Sequence, residues 1–264
     1  MLTLFDEGEL PSLAYLPSVM PAVTPPVALA PATPLAPAAS PAPPAPRRLL
    51  TRTPHVQRIV ADSTDRVAWL RARSQGITAT DVAKLATPKS VQNAAYDKMH
   101  GTSFGGNSYT DHGRAREPEI AAWVLRNYGI EPSTALFRSE GHSRHLATPD
   151  GVVLTPNGDL ELAEIKTTSK AWRSIPRSYL RQVWWQQYVL GAERTLVVWE
   201  QHTDFVPVGD EPECQWVDRD EDQIAILVGF ANQLIDILDR QATKNARTPM
   251  NTQYPPPDDY DYGY

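Results

Sequence analysis

The chain has 264 residues, 25 prolines, a single cysteine and a formal net charge of −6. The lone Cys214 excludes an internal disulfide and a cysteine-built metal centre, and fits a reducing, cytoplasmic setting. No run reaches the ~18 apolar residues of a membrane span, and Asp6, Glu7 and Glu9 stand where a secretory signal needs basic residues.

The net charge hides an asymmetry. Residues 47–116 hold twelve basic and five acidic side chains, whereas from Glu200 onward four basic face fourteen acidic. An acidic total therefore leaves room for a basic, nucleic-acid-facing half.

Leu2, Leu4 and Phe5 open the chain. They resemble the Leu-x-Leu-Phe peptide by which bacterial replication proteins dock on a sliding clamp, without its leading Gln; the alternative is a plain mobile terminus. Twelve of the prolines precede Arg47. The Pro/Ala tract from Pro17 to Pro46 reads as a semi-extended tether or spacer. The tail after Arg247 is Pro, Asp and Tyr without apolar periodicity. The expected division is a disordered Pro/Ala-rich extension over 1–53, one folded domain over 54–247 and a disordered tail over 248–264.

Within the folded part, Ser63 precedes apolar spacing at Val67, Ala68 and Leu70, with Trp69 beside them and Gly76 closing the helix. Thr78 or Thr80 caps a second helix carrying Val82, Ala83 and Leu85. A helix start beside Arg71 and Arg73 reads either as a phosphate cradle or as a plain cap with two exposed arginines. Ser90–His100 is a short helix, 101–107 a Gly/Ser-rich loop, and Gly113–Tyr128 a long amphipathic helix that carries Glu117.

Strand-like runs follow at 135–137, 145–147, 152–154 and 160–165, with a hairpin turn at Pro156-Asn157-Gly158-Asp159. Ile175–Leu190 is helical, with Pro176 in its first turn. Residues 195–200 form a buried strand, 206–208 and 215–217 an edge hairpin, and 218–240 a final amphipathic helix. The order predicts an α/β fold, a central mixed sheet flanked by helices.

One stretch carries chemistry. Thr148-Pro149-Asp150-Gly151 is followed by Glu164-Ile165-Lys166 on an apolar strand. Alternation puts Glu164 and Lys166 on one strand face, and Asp150 can set its carboxylate beside Glu164. Two carboxylates and the Ile165 backbone carbonyl are hard oxygen ligands suited to Mg²⁺ or Mn²⁺, one ion or two. Lys166 then faces a phosphate or an attacking water, which it can orient or deprotonate, and beside the metal its pKa is expected to fall. This is the donor set of a metal-dependent phosphodiesterase. The competing reading is a turn aspartate and an exposed ion pair. Gln182, on the following helix with Tyr179 and Gln186, is a polar amide that needs a partner.

From Trp69 to Leu238 the chain resembles the lambda-exonuclease/YqaJ-type viral recombinases of the PD-(D/E)XK nuclease superfamily. The matching blocks are Trp69-Leu-Arg-Ala-Arg73 with Gly76-Ile-Thr-Ala-Thr80-Asp81, Gly113-Arg-Ala-Arg-Glu117, Thr148-Pro-Asp150-Gly151, Glu164-Ile-Lys166 and Tyr179-Leu-Arg-Gln182-Val. The resemblance implies a restriction-endonuclease-like core. It implies that Arg73 and Thr80 hold a DNA 5′-phosphate, that Glu117 adds an acid to the metal site, and that Gln182 belongs to the catalytic set with Asp150, Glu164 and Lys166. Trp184 stands where the family usually has a second glutamine, so Gln186 is held in reserve. The segment between Asp150 and Glu164 is slightly longer than in the tightest examples, and the Pro-rich extension has no counterpart.

What this implies for function is Mg²⁺-dependent (or Mn²⁺-dependent) 5′→3′ digestion of linear double-stranded DNA. It would leave a 3′ single strand for an annealing protein in phage-type recombination, by a ring-shaped homotrimer in the cytosol of a bacterium or phage-infected host. The alternatives are a restriction-type or Cas4-like endonuclease or nickase, the latter disfavoured by the single cysteine, and a non-catalytic DNA-end-binding module.

Overall fold

The computed structural model describes residues 54–101 and 107–247. The clamp-like Leu2, Leu4 and Phe5, the extension over 1–53, the tail over 248–264 and most of the Gly/Ser-rich loop lie outside the described residues. After a 3₁₀ turn (His55–Arg58), the elements are β1 (Ile59–Asp62), α1 (Arg66–Ser74), α2 (Ala79–Val82), α3 (Pro88–His100), α4 (Ser108–Tyr128), β2 (Glu131–Pro132), β3 (Ala135–Arg138), β4 (Leu146–Ala147), β5 (Gly151–Leu154), β6 (Leu160–Thr168), α5 (Arg177–Leu190), β7 (Arg194–Thr203), β8 (Val206–Pro207), β9 (Glu213–Asp218) and α6 (Glu221–Arg247).

The strands form two sheets, a small one ordered β1-β3-β4 and a central one ordered β2-β5-β6-β7-β8, with β9 also on β7. β5 and β6 pair antiparallel across the Asn157-Gly158 turn, where Gly158 takes φ +85°. β6 and β7 run parallel, joined by α5. The sheet is therefore mixed, as expected. The predicted edge hairpin is not formed: β8 and β9 each pair with β7 rather than with one another.

Alternation along β6 decides how the layers pack. Leu160 and Leu162 enter a core shared with α5, α6, Val197 and Trp199. Ala163 and Ile165 enter a second core with Ile120, Ala121 and Val124 of α4 and Leu196 and Val198 of β7. Glu164 and Lys166 continue the first series, so they face the α5 layer. Nearly the whole circumference of α5 is buried, including Trp185, Gln186 and Gln187. Its C-terminus is tied down by Arg58, whose guanidinium donates to the carbonyls of Val189 (2.5 Å) and Leu190 (2.7 Å).

Other expectations shift. The cap of α1 is Asp65, which accepts from the Ala68 N–H, and not Ser63. No residue of α1 is buried; Val67 and Leu70 point to solvent, so their helical spacing does not mark a core face. Thr78 caps α2 in a reciprocal box with Asp81. α4 starts five residues before the predicted Gly113, at Ser108, because Asn107 accepts the Thr110 N–H. The weakly patterned β1 and the two-residue β2 carried no period-2 signal.

His145 is 1% exposed, stacked on His142 at 4.1 Å and within 3.0 Å of the Tyr188 hydroxyl. Burial, then the neighbouring His142 and Arg144, lower its pKa to about 4, against an Asn232 hydrogen bond that raises it. The unfolded chain takes up this proton near pH 6.5 and the folded chain only near 4. Stability is thus complete above about 6.5 and falls as the pH drops toward 4. Urea unfolding from pH 7.5 to 4 should show His145→Phe losing about 3 kcal/mol less than the parent protein over that window. Parallel pH profiles would remove His145 as a source of acid lability.

Candidate active site

The centre of the site is the point where β5 ends and β6 continues. The last β5–β6 pair is Gly151 with Ala163. Asp150, one residue earlier, donates its N–H to the Ala163 carbonyl (3.1 Å). Its Oδ2 then accepts the Ile165 N–H at 2.7 Å. The Asp150 carboxylate thus takes the place of the missing strand. Both main-chain polar groups of a strand residue point to the same side, so the Ile165 carbonyl faces the edge that Asp150 occupies.

Gly151 is required here by space rather than by a turn. A Cβ would lie 2.9 Å from Ile130 Cγ2 and 3.1 Å from Ala163 Cβ.

Glu164 is 1% exposed. Its Oε1 accepts from Lys166 Nζ and from Gln182 Nε2 (2.5 Å), and its Oε2 accepts from Gln186 Nε2 (2.6 Å). The reading of Glu164 and Lys166 as a surface ion pair is therefore excluded by burial. Lys166 Nζ also lies 5.4 Å above the Tyr179 ring. Tyr179 and Gln182 come from the first turns of α5, one helical step apart.

Glu117 arrives from α4, on the other face of the sheet. Gly113 lets that helix approach closely, since a Cβ there would stand 3.1 Å from Thr167 Oγ1. The adjacent Arg116 forms a two-pronged pair with Glu200 of β7 (Nε–Oε1 2.9 Å, Nη2–Oε2 2.7 Å) and also contacts Glu119. Glu117 itself stands at the solvent rim.

Electrostatics link the three acids. Burial, then Glu164 and more weakly Glu117, push the Asp150 carboxyl well above its usual range, against Lys166 and the Ile165 N–H. Burial and Glu164 push Glu117 up, against Lys166 and Arg114. For Lys166, burial works against the charge, yet Glu164 and Asp150 outweigh it and raise the pKa. The two carboxylates around the ammonium thus favour its charged form; the expected fall belongs to the metal-bound site, where the cation's charge opposes theirs.

Three acids share one ammonium, and two of them are held above their usual range. Such a donor set calls for added positive charge, and its oxygens are hard ligands that fit Mg²⁺ or Mn²⁺. Among the described residues no three His, Cys, Asp or Glu side chains are gathered as a ready-made cage. The Glu164 oxygens face amide and ammonium donors instead.

Arg73 stacks over Trp69 at 4.3 Å, and its Nη1 reaches Thr148 Oγ1 at 3.4 Å, two residues from Asp150. Thr80 is exposed. The start of α2 is no open phosphate cradle. The Asp81 carboxylate already accepts the Thr78 N–H (2.8 Å) and pairs with Lys98 at 3.1 Å. Gln186 is the residue that sequence reasoning left in reserve and the structure brings in. Its position four residues after Gln182, on the same helix face, was the available signal.

Residues 68–193 match the family model of the YqaJ-like viral recombinase domain. Among solved structures, the alkaline exonuclease LHK-Exo from Laribacter hongkongensis is similar with TM-score 0.52 and 24% identity, over 67% of this chain and 97% of that one. LHK-Exo in complex with dAMP gives TM-score 0.51 and 22% identity over the same shares. A phage-related exonuclease from Haemophilus somnus 129PT is 12% identical with TM-score 0.48, over 74% of this chain and 96% of that one. No curated protein matches the chain. At these identities the solved structures establish a shared fold, the expected mixed sheet flanked by helices. Among the described residues no helix is long and apolar enough to cross a membrane.

Proposed function

We propose that this chain, which carries a YqaJ-like viral recombinase domain over residues 68–193, is a metal-dependent exonuclease acting 5′→3′ on linear double-stranded DNA. The observation that carries the proposal is the meeting of Asp150, Glu164 and Lys166 at the open edge of β6, with Gln182 closing over Glu164. A fold shared with exonucleases supports it.

Asp150, Glu164, Glu117 and the Ile165 carbonyl would hold Mg²⁺ or Mn²⁺, one ion or two. Bound there, the metal supplies charge for the developing phosphorane oxygens and lowers the pKa of a water. Lys166, beside Glu164 and Asp150, would orient or deprotonate the attacking water or add positive charge at a phosphate oxygen. Gln182 fixes the Glu164 carboxylate. Arg73, stacked and half-buried close to Thr148, is a rigid guanidinium for a terminal 5′-phosphate, with the exposed Thr80 hydroxyl as a second donor. Unequal charge along the chain assigns phosphate contacts to the N-terminal half, and such contacts make binding weaken with salt.

The product would be a 3′ single strand handed to an annealing protein in the cytoplasm. A homotrimeric ring, the division into a 54–247 exonuclease domain with disordered ends, and a sliding-clamp contact through Leu2, Leu4 and Phe5 belong to the same proposal.

Linear duplex labelled at its 5′ or 3′ ends, run beside closed circular DNA with and without Mg²⁺, tests the reading. The 5′ label should be released first, only with Mg²⁺, while circles survive. Nicked circles would instead indicate an endonuclease, and intact linear DNA at saturating Mg²⁺ a non-catalytic end-binding module.

A further inference from the structure

We infer that Gln186 is a positioning residue that fixes how the buried Glu164 carboxylate offers a divalent cation Oε2, the one oxygen that Lys166 and Gln182 leave open; the inference rests on the metal site proposed above. A carboxylate has about four lone-pair positions. On Glu164 three are committed: Lys166 Nζ and Gln182 Nε2 both donate to Oε1, and Gln186 Nε2 donates to Oε2. Oε1 is saturated. One position remains, on Oε2, opposite the bond from Gln186. A cation that binds there takes Glu164 through one oxygen without displacing any hydrogen bond.

Gln186 can do this because it has no alternative. It is fully buried, and its Oε1 has no hydrogen-bond partner among the described residues. Reversing the amide would set Oε1 against a carboxylate oxygen. The negative Glu164 therefore dictates which way the amide points.

The next residue provides a contrast. Gln187 is equally buried on the same helix and its Oε1 is likewise without a partner among the described residues, but its Nε2 donates to Thr195 Oγ1 (3.1 Å) and to the Val217 carbonyl (2.9 Å), away from Glu164. Gln187 ties α5 to β7 and β9. Gln186 ties it to the acid.

The test is isothermal calorimetry with Mg²⁺ alone on the full chain, comparing the parent, Gln186→Met and Gln187→Met. Loss of an orienting partner typically weakens metal binding by about 10–100-fold, so Gln186→Met should lie in that range. Gln187→Met should lose comparable thermal stability with Mg²⁺ affinity within about twofold of the parent. A folded Gln186→Met with parental affinity overturns the inference. So does Gln187→Met weakening Mg²⁺ as strongly, since that would reveal a merely structural effect. Should Gln186→Met not fold, the side-chain amide resonance of Gln186 in the parent protein decides: it shifts on Mg²⁺ titration if the inference holds, and stays still if it does not. A parent protein that binds no Mg²⁺ refutes the metal site itself, which is a separate outcome.

Discussion

Lys166→Ala should abolish digestion of linear duplex while leaving binding to DNA ends intact. Lys166 contacts the buried Glu164, and the carboxylates of Glu164 and Asp150 keep it protonated against the cost of burial. In the proposed reaction, removing it deletes a positive charge that would face the water or the phosphate as charge develops. Losses of this kind run to ~10³-fold or more. The fold should survive, because Glu164 keeps its bonds from Gln182 and Gln186. Lys166→Arg restores charge but brings a planar fork in place of a compact ammonium, and should recover little activity. Nucleotide release from labelled duplex, with gel shift on the same DNA, reads both quantities. A Lys166→Ala protein that digests at the parental rate removes this residue from the chemistry.

The second large effect concerns the helix that carries Glu117. Arg116→Met leaves Glu200, 6% exposed, without its two-pronged partner. An uncompensated buried carboxylate of this kind costs about 3–5 kcal/mol, and the lower end applies because Arg116 is only partly covered. Glu117 should lose its placement with it, so digestion should fall together with stability. Arg116→Met combined with Glu200→Met replaces both charges by apolar groups and should regain most of the stability. Guanidinium unfolding of the three proteins is the measurement. An unchanged midpoint for Arg116→Met alone would show that the pair does not hold α4.

The heart of the fold was legible because its signals are physical and local. Leu160, Leu162, Ala163 and Ile165 make the apolar run of a strand buried on both faces, and Glu164 and Lys166 break it on the face of Leu160 and Leu162. Asn157-Gly158 marked the turn, and the threonine at 78 its cap. What escaped has equally local reasons. Val67 and Leu70 have helical spacing without burial, so pattern alone pointed to a core face that is absent. β1 pairs through exposed and half-buried residues, which carry no hydrophobic alternation. Gln186 was hard to place because α5 is buried around most of its circumference, and a helix without a polar face does not say which polar residue matters. The placement of Asp150 beside Glu164 and the Lys166 ammonium could not be read from Glu-x-Lys alone; only the β5–β6 register reveals it.

That register separates two distances that are easily confused. Asp150 and Glu164 are held together by the Gly151–Ala163 pair and the Ile165 N–H, all at one end of the hairpin. Residues 155–159 turn at the other end, exposed or half-exposed, closed by their own bonds among Thr155, Gly158 and Asp159. Lengthening a surface turn costs only about 0.6 kcal/mol per doubling of its length. The number of residues between the two acids is therefore free to change without moving them apart, because the strand pairing and not the count along the chain sets their distance.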